Sequence, residues 1–513
     1  MAAKISLISA LLGLGLGAAH AQNPLSAIDW LNDASALPVP RAVPVLPPEE
    51  AVSSGITTET ITVTPLDAPS SDAVGLLPRA VSGLPANFWG PTGSDELAAL
   101  LESIETSDLM PATRELLYTI LLAELDPPVD SDASGTFFAA RVDTLTRMGA
   151  VESAQALLER AGTDDQQNFT RWFDLSLLLG TESKACIKLK NSPGLAASLS
   201  ARVFCLARTG DWNAAALSFG TGRALGHLDP SEEALLLRFL DAGLSENAPR
   251  LPTPEDANPL TFQLYEAIGE PLNTASLPVA FAHADLRSNT GWKAQVEAAE
   301  RLARDGAITA NKLLGLYTER SPAASGGVWD RVEAVQTFDL SLASGSSDAL
   351  TTALPVAWQQ MKNVGLEPVF AELYSDRLRL FELSDDTGEL AFRMALLTRN
   401  YETAAQKLSP NDQVQRFLKA VAQGNVTGIV PPDERAAAVA DGFLATQATG
   451  TAQAFVDQGA LGAALLYGIK LMGDGAKGDI AKLTDAISLF RAVGLEDVAR
   501  RAALEVLILD RRG

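Results

Sequence analysis

Sixty-three acidic residues against 40 basic ones give this 513-residue chain a formal net charge of −23. A surface of that sign repels phosphate backbones, which excludes nucleic acid as an expected partner. The length exceeds what one ordinary hydrophobic core serves, and an apolar content of 47% with only 6% aromatics, rich in alanine and leucine, suits helices rather than sheets.

Residues 1–21 read as a secretory signal peptide. Lys4 supplies the positive end, Ile5 to Ala18 the apolar run, and Ala19-His20-Ala21 the small-residue cleavage site before Gln22. Cleavage takes the net charge to −24, since Lys4 is the one charged residue lost. No later apolar run reaches spanning length, so the mature chain is expected not to insert in a membrane, and to be periplasmic if the cell is Gram-negative. Residues 22–92 are rich in proline, serine and threonine and read as an extended linker. Two islands within it, Ser26 to Leu31 and Ile56 to Val63, have the composition of short docking motifs.

Residues 93–248 form the first helical block. Ser94-Asp95-Glu96 is expected to cap one helix, and Pro111 to open the next. Three turn signals follow at Gly149, Gly180 and Gly210, spaced 31 and 30 residues apart. Ala140, Arg141, Val142, Leu145, Arg147, Gly149 and Ala154 recur 61 positions later as Ala201, Arg202, Val203, Leu206, Arg208, Gly210 and Ala215. Phe138, Val142, Leu145 and Met148 share one helical face, and the glycine supplies the left-handed conformation that ends the helix. An alanine five residues after each glycine (Ala154, Ala185, Ala215) lets paired helices approach closely. One such hairpin cannot bury its apolar face alone, so the units must stack.

The Gly210-Asp211-Trp212-Asn213-Ala214-Ala215 turn resembles that of the tetratricopeptide repeat family. Arg399-Asn400-Tyr401-Glu402-Thr403-Ala404 resembles the same turn without its glycine, and Gly459 with Ala464 and Gly494 with Ala499 keep the spacing. The resemblance implies an all-α fold, a right-handed α-solenoid of helical hairpins whose concave groove binds a protein or peptide. Ala201–Trp212 and Ser325–Arg331 also look like segments of uncharacterised secreted α-proteobacterial proteins.

Prolines at 249, 252, 254 and 259 punctuate the chain before a helical middle segment, 249–345. A C-terminal block, 346–513, is expected to hold further helical repeats, with Gly473 to Gly478 as a flexible loop.

Candidate chemistry is sparse. Cys186 and Cys205 are the only cysteines, and in a secreted chain a disulfide between neighbouring helices is favoured over two buried thiols. After cleavage two histidines remain: His227 behind a helix end, and His283 between alanines, read as a packed or capping residue. No zinc-like ligand set appears, so neither a metal nor an organic cofactor is expected. No GxSxG, HExxH or GxxxxGK[ST] pattern is present, and no catalytic residue is nominated. Arg141 and Arg202 recur at equivalent positions, where they could contact a ligand carboxylate in a groove or serve as solvated helix arginines. The expected function is a non-catalytic secreted scaffold for a protein or peptide. The alternatives are a substrate-holding or regulatory protein of envelope glycan processing, and an enzyme with a cryptic site.

Overall fold

Glycines at positive φ end helices where the spacing predicts. Gly149 (φ +74°) joins Thr136–Arg147 to Val151–Ala161, Gly180 (φ +72°) joins Gln166–Leu179 to Glu182–Asn191, and Gly210 (φ +85°) joins Leu199–Arg208 to Trp212–Ala224. In each turn the amide after the glycine bonds the carbonyl five residues back: Ala150 to Leu145 at 2.9 Å, Thr181 to Ser176 at 2.8 Å, Asp211 to Leu206 at 2.9 Å. The same bond recurs after Gly459 and Gly494, and again after Gly306, Gly365 and Gly424. This closure satisfies carbonyls that a helix end leaves orphaned. The alanines five residues on (Ala154, Ala185, Ala215, Ala464, Ala499) are all 0% exposed, as a close helix crossing requires. Where Arg399 stands in the glycine's place, the buried alanine is Ala405, one residue later than Ala404.

The computed structural model describes residues 70–509, apart from 108, 242, 244–248 and 384. Among the described residues there are 25 α-helices and no β-strand; one isolated parallel bridge joins Leu77 to Ala123. The expected leader, 1–21, and the expected docking islands, 26–31 and 56–63, lie outside the described residues. One core draws on residues from Phe88 to Ala284 and again from Leu396 to Leu509, and a second runs from Val296 to Met394. The first core therefore crosses the segment borders expected from composition. Its two stretches meet because Leu461–Ala476 packs on Ser94–Glu102 and Glu496–Ile508 packs on Pro111–Leu122.

Three expectations need correction. The segment 70–92 is folded into the body, despite its prolines. Phe88 is 0% and Trp89 3% exposed, and a Cβ on Gly462 would fall 2.3 Å from the Trp89 ring. Asp72 is buried and caps Thr136–Arg147 by accepting the Phe138 amide at 2.6 Å. Ser94 is not the cap of its helix. The cap position is Gly93, and the Ser94 amide donates to Asp130 at 2.7 Å. Finally, Gly473–Ala476 is helical, within Leu461–Ala476. A Cβ on Gly475 would lie 2.7 Å from the Leu483 Cα, and one on Gly468 2.7 Å from Leu489. These glycines admit the neighbouring helix Ile480–Ala492, and packing overrides their low helix propensity.

Candidate functional site

A polar stripe on Pro111–Leu122 defines one wall of a cavity of about 730 Å3. Pro111, Arg114, Glu115 and Tyr118 fall at i, i+3, i+4 and i+7, so they share a face. Helix Glu367–Leu378 supplies another wall in the same way, through Val369, Glu372, Ser375 and Asp376. Between them stand three turns, around 148–153, 303–310 and 397–400, with Arg501 from the last helix.

Hydrogen bonds, ion pairs and one packed helix contact link the walls of this cavity. Arg114 donates from Nη1 to the Arg304 carbonyl at 2.7 Å and from Nη2 to the Leu109 carbonyl at 2.7 Å. The turn that Arg304 begins leads into Ala310–Thr318, which packs on Glu367–Leu378. From that helix Asp376 accepts the Asn400 side-chain amide at 2.8 Å. The next residue back, Arg399, pairs with Glu115, returning to the first wall. Glu115 also accepts Arg501 at 2.8 Å. Burial alone would lower the Arg501 guanidinium, but the carboxylates of Glu505 and Glu115 raise it above its usual value.

Other groups at the cavity are less fully engaged. Lys312 and Glu152 stand 3.7 Å apart and largely exposed. Tyr118 and Ser153 share a hydroxyl–hydroxyl bond of 2.6 Å. Ser375 is 3% exposed and its Oγ has no hydrogen-bond partner among the described residues. Just behind the rim, His283 Nε2 lies 2.7 Å from the Gly149 carbonyl, which fixes it as the donor. Burial holds this imidazole below its ordinary pKa, so it is neutral at pH 7 and serves to dock one turn on another.

Neither arginine nominated from the repeat lines this cavity. Arg141 is 2% exposed, with its guanidinium on the carbonyls of Leu121 (2.9 and 2.7 Å), Ala123 (3.2 Å) and Asp72 (3.0 Å). It closes the C-terminus of Pro111–Leu122, and burial pulls its pKa down to about 10 against the opposing pull of Asp72. It therefore cannot serve as a groove contact, because its donors are spent on backbone. Arg202 is exposed on the equivalent helix, and His227 is exposed too. Cys186 and Cys205 form the expected disulfide, with Cα atoms 4.7 Å apart on neighbouring helices.

Sequence reasoning missed Arg114, Glu115, Tyr118 and Arg501. The signal available was the polar stripe directly after Pro111, on a helix whose remaining faces are buried. Among the described residues, no group of three or more His, Cys, Asp or Glu side chains is placed to hold a metal ion. No described helix is long and apolar enough to cross a membrane. Neither a family model, nor a curated protein, nor a solved structure matches the chain.

Proposed function

We propose that the protein is a non-catalytic helical-repeat scaffold, a tetratricopeptide-like α-solenoid exported by its leader, that binds a protein or peptide partner. The observation that carries this reading is the make-up of the cavity. Its lining comes from several separate hairpins and is rich in hydrogen-bonding side chains. A surface assembled from many repeats presents donors and acceptors over a distance that suits an extended polypeptide. The Cys186–Cys205 bridge supports a location outside the cytoplasm, since such bonds persist in oxidising compartments.

A glycan ligand, the second expectation, would stack sugar rings on aromatic faces. Tyr118 is the one aromatic residue lining the cavity among the described residues, so the polypeptide reading is preferred. The test is selection of a displayed peptide library on the oxidised chain from residue 22 onward, with binding of the selected peptides remeasured on a Tyr118→Ala, Glu372→Lys variant. Peptides that lose at least tenfold in affinity support the reading. Selection that yields only peptides indifferent to the variant, or retention of envelope polysaccharide alone, overturns it.

A further inference from the structure

We propose that the groove along the outside of the hairpin Val328–Ser344 and Ser347–Lys362 docks one amphipathic helix of a protein partner, its basic end on Asp330 and Glu333. The groove has a volume of about 560 Å3 and shares no lining residue with the cavity, on which it does not depend.

Helical periodicity makes the groove. Val332, Val335, Phe338 and Leu342 turn into the second core, as do Leu350, Leu354, Ala357 and Met361 from the other helix. That leaves Ala334, Thr337 and Ser341 to line one side of the groove, and Ala349, Thr352 and Val356 the other. At its floor Ala334 and Ala353 are each 8% exposed, and side chains this small let a third helix come close. The walls run from Asp330 to Ser341 and from Gln360 back to Ala349. At helical rise each measures about 16 Å, the length of three helical turns.

The lining suits a helix better than an extended chain. Ser341 donates to the Thr337 carbonyl at 2.8 Å and Thr352 to the Asp348 carbonyl at 3.3 Å, so these hydroxyls are spent on their own helices. An extended chain, whose amides and carbonyls need partners, is poorly served here. A helix brings its backbone already satisfied. Val356, 54% exposed, and Leu340, 71% exposed and in line with Glu333, give its apolar face two ridges to cover.

Charge identifies the occupant. The lining holds two carboxylates and no cation, both at the end away from the Gly345 turn. Asp330 accepts the Gly326 amide at 2.7 Å, Glu333 is exposed, and the adjacent Arg331 is turned inward onto Glu300. A second copy of this groove would bring two more carboxylates and no cation. A helix with lysine or arginine in its terminal turn is complementary.

The experiment is fluorescence anisotropy of the oxidised chain, from residue 22 onward, with three labelled peptides of about 14 residues. The first is a helix with leucines along one face and lysines at one end, the second has glutamates in place of the lysines, and the third is the first with a central proline. The lysine helix binds, and the other two bind roughly tenfold more weakly or worse. Val356→Gln weakens the lysine helix several-fold. Glu333→Lys does the same and tightens the glutamate helix several-fold, a swap that general attraction to an acidic protein would not give. Both positions are exposed, so the melting temperature is expected to hold in each variant. The proposal is overturned if the proline peptide binds as tightly, if no peptide binds, or if binding is indifferent to both substitutions. A dimer in sedimentation that Val356→Gln dissociates, or a photo-crosslinker at Val356 that captures residues 22–69 of its own chain, assigns the groove to another occupant and overturns it too.

Discussion

Both carboxylate oxygens of Glu505 accept the backbone amide of Ala112, at 3.1 and 3.0 Å, across 393 residues of sequence. Glu505 is 2% exposed, and the bond caps a helix that opens with a proline and has no local side-chain cap. Replacing Glu505 by Gln removes the charge that favours a helix start and weakens a buried bond. The expected loss is about 1–3 kcal/mol. Urea unfolding measures it, and amide exchange locates it: protection is lost first at the start of Pro111–Leu122. An unchanged midpoint would show that the cap contributes nothing.

Gly149 and Gly210 occupy equivalent turns but differ in surroundings. A Cβ at Gly149 would stand 3.2 Å from both Ala307 and Val279, whereas one at Gly210 meets nothing within 4 Å. Gly210→Ala is expected to cost only the left-handed backbone penalty, about 1 kcal/mol. Gly149→Ala adds crowding and is expected to cost about 2–3 kcal/mol. Thermal melts of the pair check the ordering; equal shifts would mean that the Gly149 turn has room to relax.

The disulfide closes a loop with a sequence separation of 19. In the chain-entropy treatment such a crosslink stabilises by roughly 3 kcal/mol. A Cys186→Ser, Cys205→Ser variant is expected to fall by that order in denaturant unfolding. The untreated protein gains two hydrogens in mass on reduction, and no gain would mean the bridge does not form.

Asp174 carries the pH prediction. Burial raises its carboxyl to about 7, with Arg171 pulling the other way. Because the folded value lies above the unfolded one near 4, the stability linked to the protonated form is fully present below that unfolded value. It is lost as pH rises through about 7. Asp174→Asn is therefore expected to match the parent at pH 4 and to exceed it at pH 8 by about 2 kcal/mol. Stability curves of the two that run parallel across this range would contradict the assignment.

What was legible in the sequence is what neighbours in the chain decide. A glycine ending a helix and an alanine five residues later are local facts, so the turns at Gly149, Gly180, Gly210, Gly459 and Gly494 could be placed. The cavity could not, because its contacts join distant stretches: Arg399 meets Glu115 across 284 residues. Repetition also misled. Arg141 and Arg202 are the same residue in the same register, yet Arg141 lies beneath the folded segment that contains Asp72 and Arg202 lies on the surface. Gly475 misled differently, since a glycine that makes room for Leu483 has the same composition as one that loosens a loop.

Because the helix that supplies Glu505 is synthesised nearly 400 residues after Ala112, order of biosynthesis matters. A nascent chain emerging from a ribosome or a translocation pore presents its opening hairpins long before their partner exists. Those hairpins must wait, partly assembled and with apolar residues such as Trp89 uncovered until Gly462 arrives. A stop codon anywhere upstream of the final hairpin leaves both ends of the molecule unfinished, because the helix that caps Pro111–Leu122 is then missing.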